Sequence, residues 1–194
     1  MKTMLRFLTC SLLAFFALAP VAHAHFVPGD VHGFGSGVAH PLHGLDHMLA
    51  MVAVGLWAAQ LGGRARWAVP ASFVGVMTLG AAVAMAGLHV PFVEQGIMLS
   101  VMVLGLLIAL AARFPLGAST TIVALFALFH GHSHGAEMPV NAIGFAYGAG
   151  FVSATVTLHA CGIGLARAVR SARLPVIRWA GAAIAVMGVM LALG

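Results

Sequence analysis

Acidic residues are nearly missing from this chain: Asp30, Asp46, Glu94 and Glu137 are the only four in 194 residues, against nine lysines and arginines. Charged residues of both signs make up 7% of the sequence. So little charge excludes a soluble domain with an ordinary solvated surface. The net charge of +5 does not signal a nucleic-acid partner either, because the basic residues are few and scattered and form no patch. Cysteine is equally scarce. Cys10 and Cys161 are the only two, which excludes a disulfide framework. No Walker A sequence occurs, so nothing here binds a nucleotide phosphate in that way.

What the chain has instead is apolar length, with 62% hydrophobic residues. The reading that follows is an integral membrane protein, an all-α polytopic helix bundle. Residues 1–24 form a signal peptide: Lys2 and Arg6 precede a short apolar stretch that ends at Pro20, and Ala22-His23-Ala24 supplies an A-x-A cleavage site. Cleavage starts the mature chain at His25 and removes Cys10, leaving Cys161 alone. Residues 25–194 then form one transmembrane domain, beginning with a glycine- and histidine-containing stretch that reads as an extracytoplasmic loop.

Six apolar runs follow, at about 42–61, 67–88, 91–112, 117–135, 140–166 and 174–193, each close to the ~20 residues that cross a ~30 Å hydrocarbon core. With the amino terminus outside, every remaining arginine falls on the inner side. Arg64 and Arg66 follow span one, Arg113 follows span three, and Arg167, Arg170, Arg173 and Arg178 surround the turn between spans five and six. Both mature termini therefore face outward from a bacterial-type inner membrane. Trp67 and Trp179 lie beside the inner arginines, where an amphipathic ring favours the interface. Gly144 and Gly148 in "GFAYGAG" have the spacing of a close helix contact, within the bundle or in a homo-oligomer. The eleven methionines have no fixed spacing and read as packing.

Ionisable side chains are costly inside a bilayer, so their clustering is informative. In "HPLHGLDHMLAM", residues 40–51, Pro41 suits a first helical turn; His43 and His47 then share a face, with Asp46 beside them and His40 just before the helix. Asp46 also lies near the positive end of the helix dipole. In "FHGHSHGAE", residues 129–137, His130 and His134 repeat the four-residue spacing, His132 points elsewhere, and Glu137 follows. Neither stretch carries the glutamate of H-E-x-x-H, so hydrolysis is unsupported and no enzymatic activity is expected. Imidazole and carboxylate together suit a borderline divalent ion such as Ni, Co, Zn or Cu(II). His159 and Cys161 lie deeper, in "TVTLHACG", where His159 reads as a relay or as a helix-to-helix hydrogen bond. His25, with its α-amine, and His32 are candidates for collecting metal before the pore; His89 and Glu94 read as a solvated turn.

These residues resemble the HupE/UreJ family of nickel permeases. His40, Asp46 and His47 match its H-x5-D-H signature. "FHGHSHGAE" follows its F-H-G-x-A-H-G-x-E signature, with Ser133 in place of alanine and His132 at a variable place. The likeness extends over essentially the whole chain. It implies secondary uptake of nickel for urease or hydrogenase, with His40, Asp46, His47, His130, His134 and Glu137 as the functional positions. Some relatives resemble cobalt transporters. The expected partners are the divalent ion as substrate, Ni2+ or Co2+, and the lipid bilayer, with no permanently bound cofactor. The rival reading is a membrane sensor or assembly protein that binds metal without moving it; a membrane metalloenzyme is a third, lacking a nucleophile or base in a recognisable arrangement.

Overall fold

The computed structural model describes residues 33–138, 142–169 and 175–193. The expected signal peptide, His25, His32, Arg170 and Arg173 lie outside these described residues. All seven elements among the described residues are helices: α1 Gly33–His43, α2 Leu45–Leu61, α3 Ala65–Met85, α4 Val93–Ala109, α5 Leu116–Glu137, α6 Ala142–Ala168 and α7 Val176–Leu193.

Three of them, α3, α6 from Gly144 and α7, are long and apolar enough to cross a membrane, and α1 with α2 makes a fourth if the pair is one broken span. At 17 residues α4 is apolar but shorter, and α5 carries the histidine-rich segment in its last two turns. The surface is apolar too. Leu79, Leu99, Leu125, Val156 and Val186 stand exposed on the bundle, while His130, His132, His134 and His159 are buried inside it. This inverted distribution is that of a membrane protein with a polar interior site.

Two corrections to the sequence reading concern the start of the bundle. From Gly33 onward the stretch read as a loop forms helix α1, and Pro41 is not at a helix start but inside the last turn of α1. The glycines expected to forbid a helix are what lets this one pack: a Cβ on Gly37 would collide with the Tyr147 carbonyl, and one on Gly150 with that of Phe34. At Gly44 the chain leaves helical geometry (φ −91°, ψ 108°) and α2 departs at 85° from α1.

The main helix pairings are α3 with α5, α4 with α7, and α6 with both α1 and α2. Backbones touch in each. Gly131 and Gly135 of α5 lie directly against Met77 and Ala81 of α3, Gly55 of α2 against His159 and Gly162 of α6, and Gly105 of α4 against Gly181 and Ala185 of α7. Gly148 is not among these backbone contacts: a Cβ there would meet only the Met138 side chain, its sulfur at 3.4 Å. The close contacts of α6 are made by Gly150 against α1 and by Gly162 against α2.

Helices α2 to α7 run alternately, so all their described arginines gather at one end and the histidine motifs at the other. At the arginine end, side chains bond the last carbonyls of α4 and one in the turn that follows it. Trp57 Nε1 donates to Ala112 O at 3.0 Å, Gln60 Nε2 to Ile108 O at 3.1 Å and Arg178 Nε to Ala109 O at 2.8 Å. Trp67 and Trp179 are exposed there, as rings at a membrane interface would be.

Candidate metal site

The break at Gly44 builds the site. In an unbroken helix His40 and His47 would lie about 10.5 Å apart along the axis. The bend instead brings both onto the ring of His134, with centroid distances of 4.7 Å from His40 and 4.4 Å from His47. His130, one turn earlier on α5, lies 4.8 Å from His47. Glu137 completes the rim, its Oε2 being 3.8 Å from His40 Nε2. One ligand atom each from His40, His134 and Glu137 lie within 4.8 Å of one another, a spread that small side-chain adjustments can close around an ion.

Two of these rings are fixed by a hydrogen bond that leaves the other nitrogen with a lone pair. His47 Nδ1 donates to Asp46 Oδ1 at 2.8 Å, and the same oxygen accepts the His47 backbone N–H at 2.8 Å. The Ser100 hydroxyl donates to Ile97 O at 2.6 Å, so its oxygen receives the N–H of His130 Nε2 at 2.9 Å. The remaining nitrogens, His47 Nε2 and His130 Nδ1, are buried without a hydrogen-bond partner, as are both nitrogens of His134. An anchored imidazole presenting its free nitrogen is the usual form of a metal ligand. Leaving such groups unsatisfied costs about 1–3 kcal/mol each. Their concentration in one place makes a donor set that a metal ion can satisfy.

Aromatic rings wall the site. Phe151 lies 4.2 Å from His134 and 6.0 Å from His40, Tyr147 lies 5.6 Å from His40, and Phe73 lies 5.5 Å from His130. Ser100 and these rings were not picked out by the motifs. Ser100 had one signal, a hydroxyl in a long apolar run; the aromatics had none, since such residues are usual in any core.

Other expected members stand elsewhere. His43 does not share a face with His47, because the helix ends between them; it is exposed and its Nδ1 donates to Ala39 O at 2.8 Å. Asp46 is at the site, where its Oδ1 is engaged by the backbone N–H and Nδ1 of His47. His132 faces the α3–α4 turn, where Val90 N–H donates to its Nε2 at 3.2 Å and Leu88 O lies 3.0 Å from the same nitrogen. Its ring also neighbours His89, at 6.0 Å. Cys161 is exposed, two residues from the buried His159 and thus on another face of α6.

Comparison with known proteins agrees with the family resemblance read from the sequence. No solved structure matches the chain. Protein HupE of Rhizobium leguminosarum bv. viciae is 47% identical over 183 residues, which cover 94% of this chain and 95% of that protein. The family model described as HupE / UreJ protein matches residues 13–191, nearly the full length, and the chain belongs to that family.

Proposed function

We propose that this chain is a secondary permease that takes up a divalent transition-metal ion, nickel in the first instance, without ATP and without acting as an enzyme. The observation that carries this reading is the convergence of His47, His130 and His134, with unpartnered buried nitrogens, on His40 and Glu137 at one end of an apolar bundle. Six spans with the arginine end inside, as the positive-inside rule directs, set this cluster on the outer side of the inner membrane. Both mature termini then lie outside, after removal of residues 1–24 as signal peptide.

A hydrated ion meets Glu137 and His40 first, since these are the more exposed members, with side chains 40% and 28% accessible. Water is then exchanged for imidazole. His134, in ring contact with both His40 and His47, passes the ion from the rim to the pair His47 and His130. A complete protein cage would hold the ion too firmly to release it, so water stays in part of its shell. An inside-negative potential supplies about 4.6 kcal/mol per 100 mV for two charges, some three powers of ten in concentration.

The test is radiolabelled nickel uptake into proteoliposomes of the purified protein under an imposed inside-negative potential, with cobalt and zinc as competitors. The expected result is potential-driven accumulation that His134→Ala abolishes. Cobalt displacing nickel at lower concentration would make this member a cobalt permease. Nickel binding with no accumulation would overturn the permease reading in favour of a sensor or assembly protein.

A further inference from the structure

Below the cluster lies one more buried imidazole that the capture site does not use. His159 is 2% exposed, in the middle of α6. Its Nδ1 donates to the Met51 backbone oxygen at 2.8 Å, which fixes the tautomer and leaves Nε2 with a lone pair; that nitrogen is buried without a partner. Met51 is one turn of α2 past His47, about 6 Å further from the rim. A single stripe of α6 joins the two levels. Tyr147, Phe151, Thr155 and His159 recur every four residues and are all buried, the first two packing on the rim histidines.

Phe73 of α3 connects them from the other side. Its ring lies 5.5 Å from His130 and, edge to face, 5.1 Å from His159. The two histidine rings are therefore no more than 10.6 Å apart. One turn along α3, the Met77 sulfur lies 3.9 Å from the Thr155 hydroxyl, which donates to Phe151 O at 2.9 Å. Imidazole nitrogen and thioether sulfur are both ligands for a borderline transition metal.

We infer that His159 Nε2 forms a second and deeper coordination position that receives the ion from His47 and His130 past the Phe73 ring, with the Met77 sulfur, one turn of α3 nearer the rim, as a neutral donor on the way. This rests on the permease reading. The chemistry of the two positions differs in a way that gives direction. The rim position includes the Glu137 carboxylate, whereas the deeper one has neutral donors only, so it holds a dication less firmly and yields it inward. The donor set also predicts preference: hard ions that require oxygen, Mg2+ and Ca2+, find none of their ligands there.

The variant that separates ligation from packing is His159→Asn. Its amide nitrogen stands where Nδ1 was and can still donate to Met51 O, while the Nε2 lone pair is gone. Three measurements on the full-length protein decide the matter: equilibrium nickel binding in detergent, melting temperature, and initial nickel uptake in proteoliposomes. The expected result is wild-type binding and melting with uptake reduced about tenfold or more, the loss typical of a removed metal-site contact. Met77→Leu, which keeps the volume and removes the sulfur, should show a smaller fall of the same kind. Uptake by His159→Asn at the wild-type rate would overturn the inference and leave the permease reading intact. A lowered melting temperature with proportionate loss of binding would overturn it as well, making His159 a helix tie. Wild-type protein that binds nickel without uptake would remove the permease reading and this inference together.

Discussion

At Asp46 one carboxylate oxygen is already engaged twice by His47, and substitution can separate its two conceivable roles. If Asp46 orients His47, then Asp46→Asn, which keeps an acceptor oxygen, retains most nickel affinity, and Asp46→Ala loses about 10–100-fold in a titration. Equal losses in both would make the negative charge itself the requirement. His43→Ala, by contrast, leaves binding unchanged, since its ring is exposed and bonded within its own helix. Ser100→Ala strands the His130 N–H in a dry interior and costs about 1–3 kcal/mol, readable as earlier melting in detergent. The identities of the clustered histidines, Asp46 and Glu137 were legible because ionisable residues stand out in so apolar a chain. Their anchors were not. Ser100 is 30 residues from His130 and the Met51 carbonyl 108 from His159, and no local spacing announces such pairs.

Among the helices, the repeated histidine-glycine pairs of α5 have a division of labour. His130 and His134 face the site, and the following residues, Gly131 and Gly135, press on the backbone of α3 at Met77 and Ala81. A methyl group at Gly131 meets the Met77 carbonyl, which cannot yield as a flexible side chain would. Gly131→Ala should therefore destabilise by about 1–3 kcal/mol and lower the melting temperature. Gly35→Ala is the control: with nothing near its added methyl, it should be neutral or gain up to about 1 kcal/mol of helix propensity. The sequence supported α5 well, its long apolar run ending in the motif. It misplaced α1, because a helix so rich in glycine has little propensity of its own and owes its form to α6, more than a hundred residues later. Nor does a four-residue spacing from His43 to His47 reveal that a break lies between them. Bulk at Gly44 pushes directly on the site, since a Cβ would stand 3.0 Å from Asp46 Oδ1 and 3.1 Å from His47 Nδ1. Gly44→Leu should accordingly weaken nickel binding while leaving the transmembrane helices folded, as circular dichroism would show.

For the molecule as a whole, composition and apolar length were enough to read a membrane helix bundle, and the full-length family match supports that architecture. The number of crossings was harder to read, because helices of this bundle differ in length. α2 and α4 have 17 residues and α7 has 18, or about 26–27 Å at 1.5 Å per residue, while α6 has 27. The shorter three fall below the ~30 Å of an average hydrocarbon core. Under the proposed six-span reading, hydrophobic mismatch on the side where α4 pairs with α7 obliges lipid to thin locally or those helices to shift, at a modest cost per ångström. Because α2 of the same short set carries His47, the permease reading predicts that acyl-chain length acts mechanically on the proposed ion path. Nickel uptake should be fastest in bilayers of shorter acyl chains and slow as the chains lengthen, a dependence that indifference to bilayer thickness would refute.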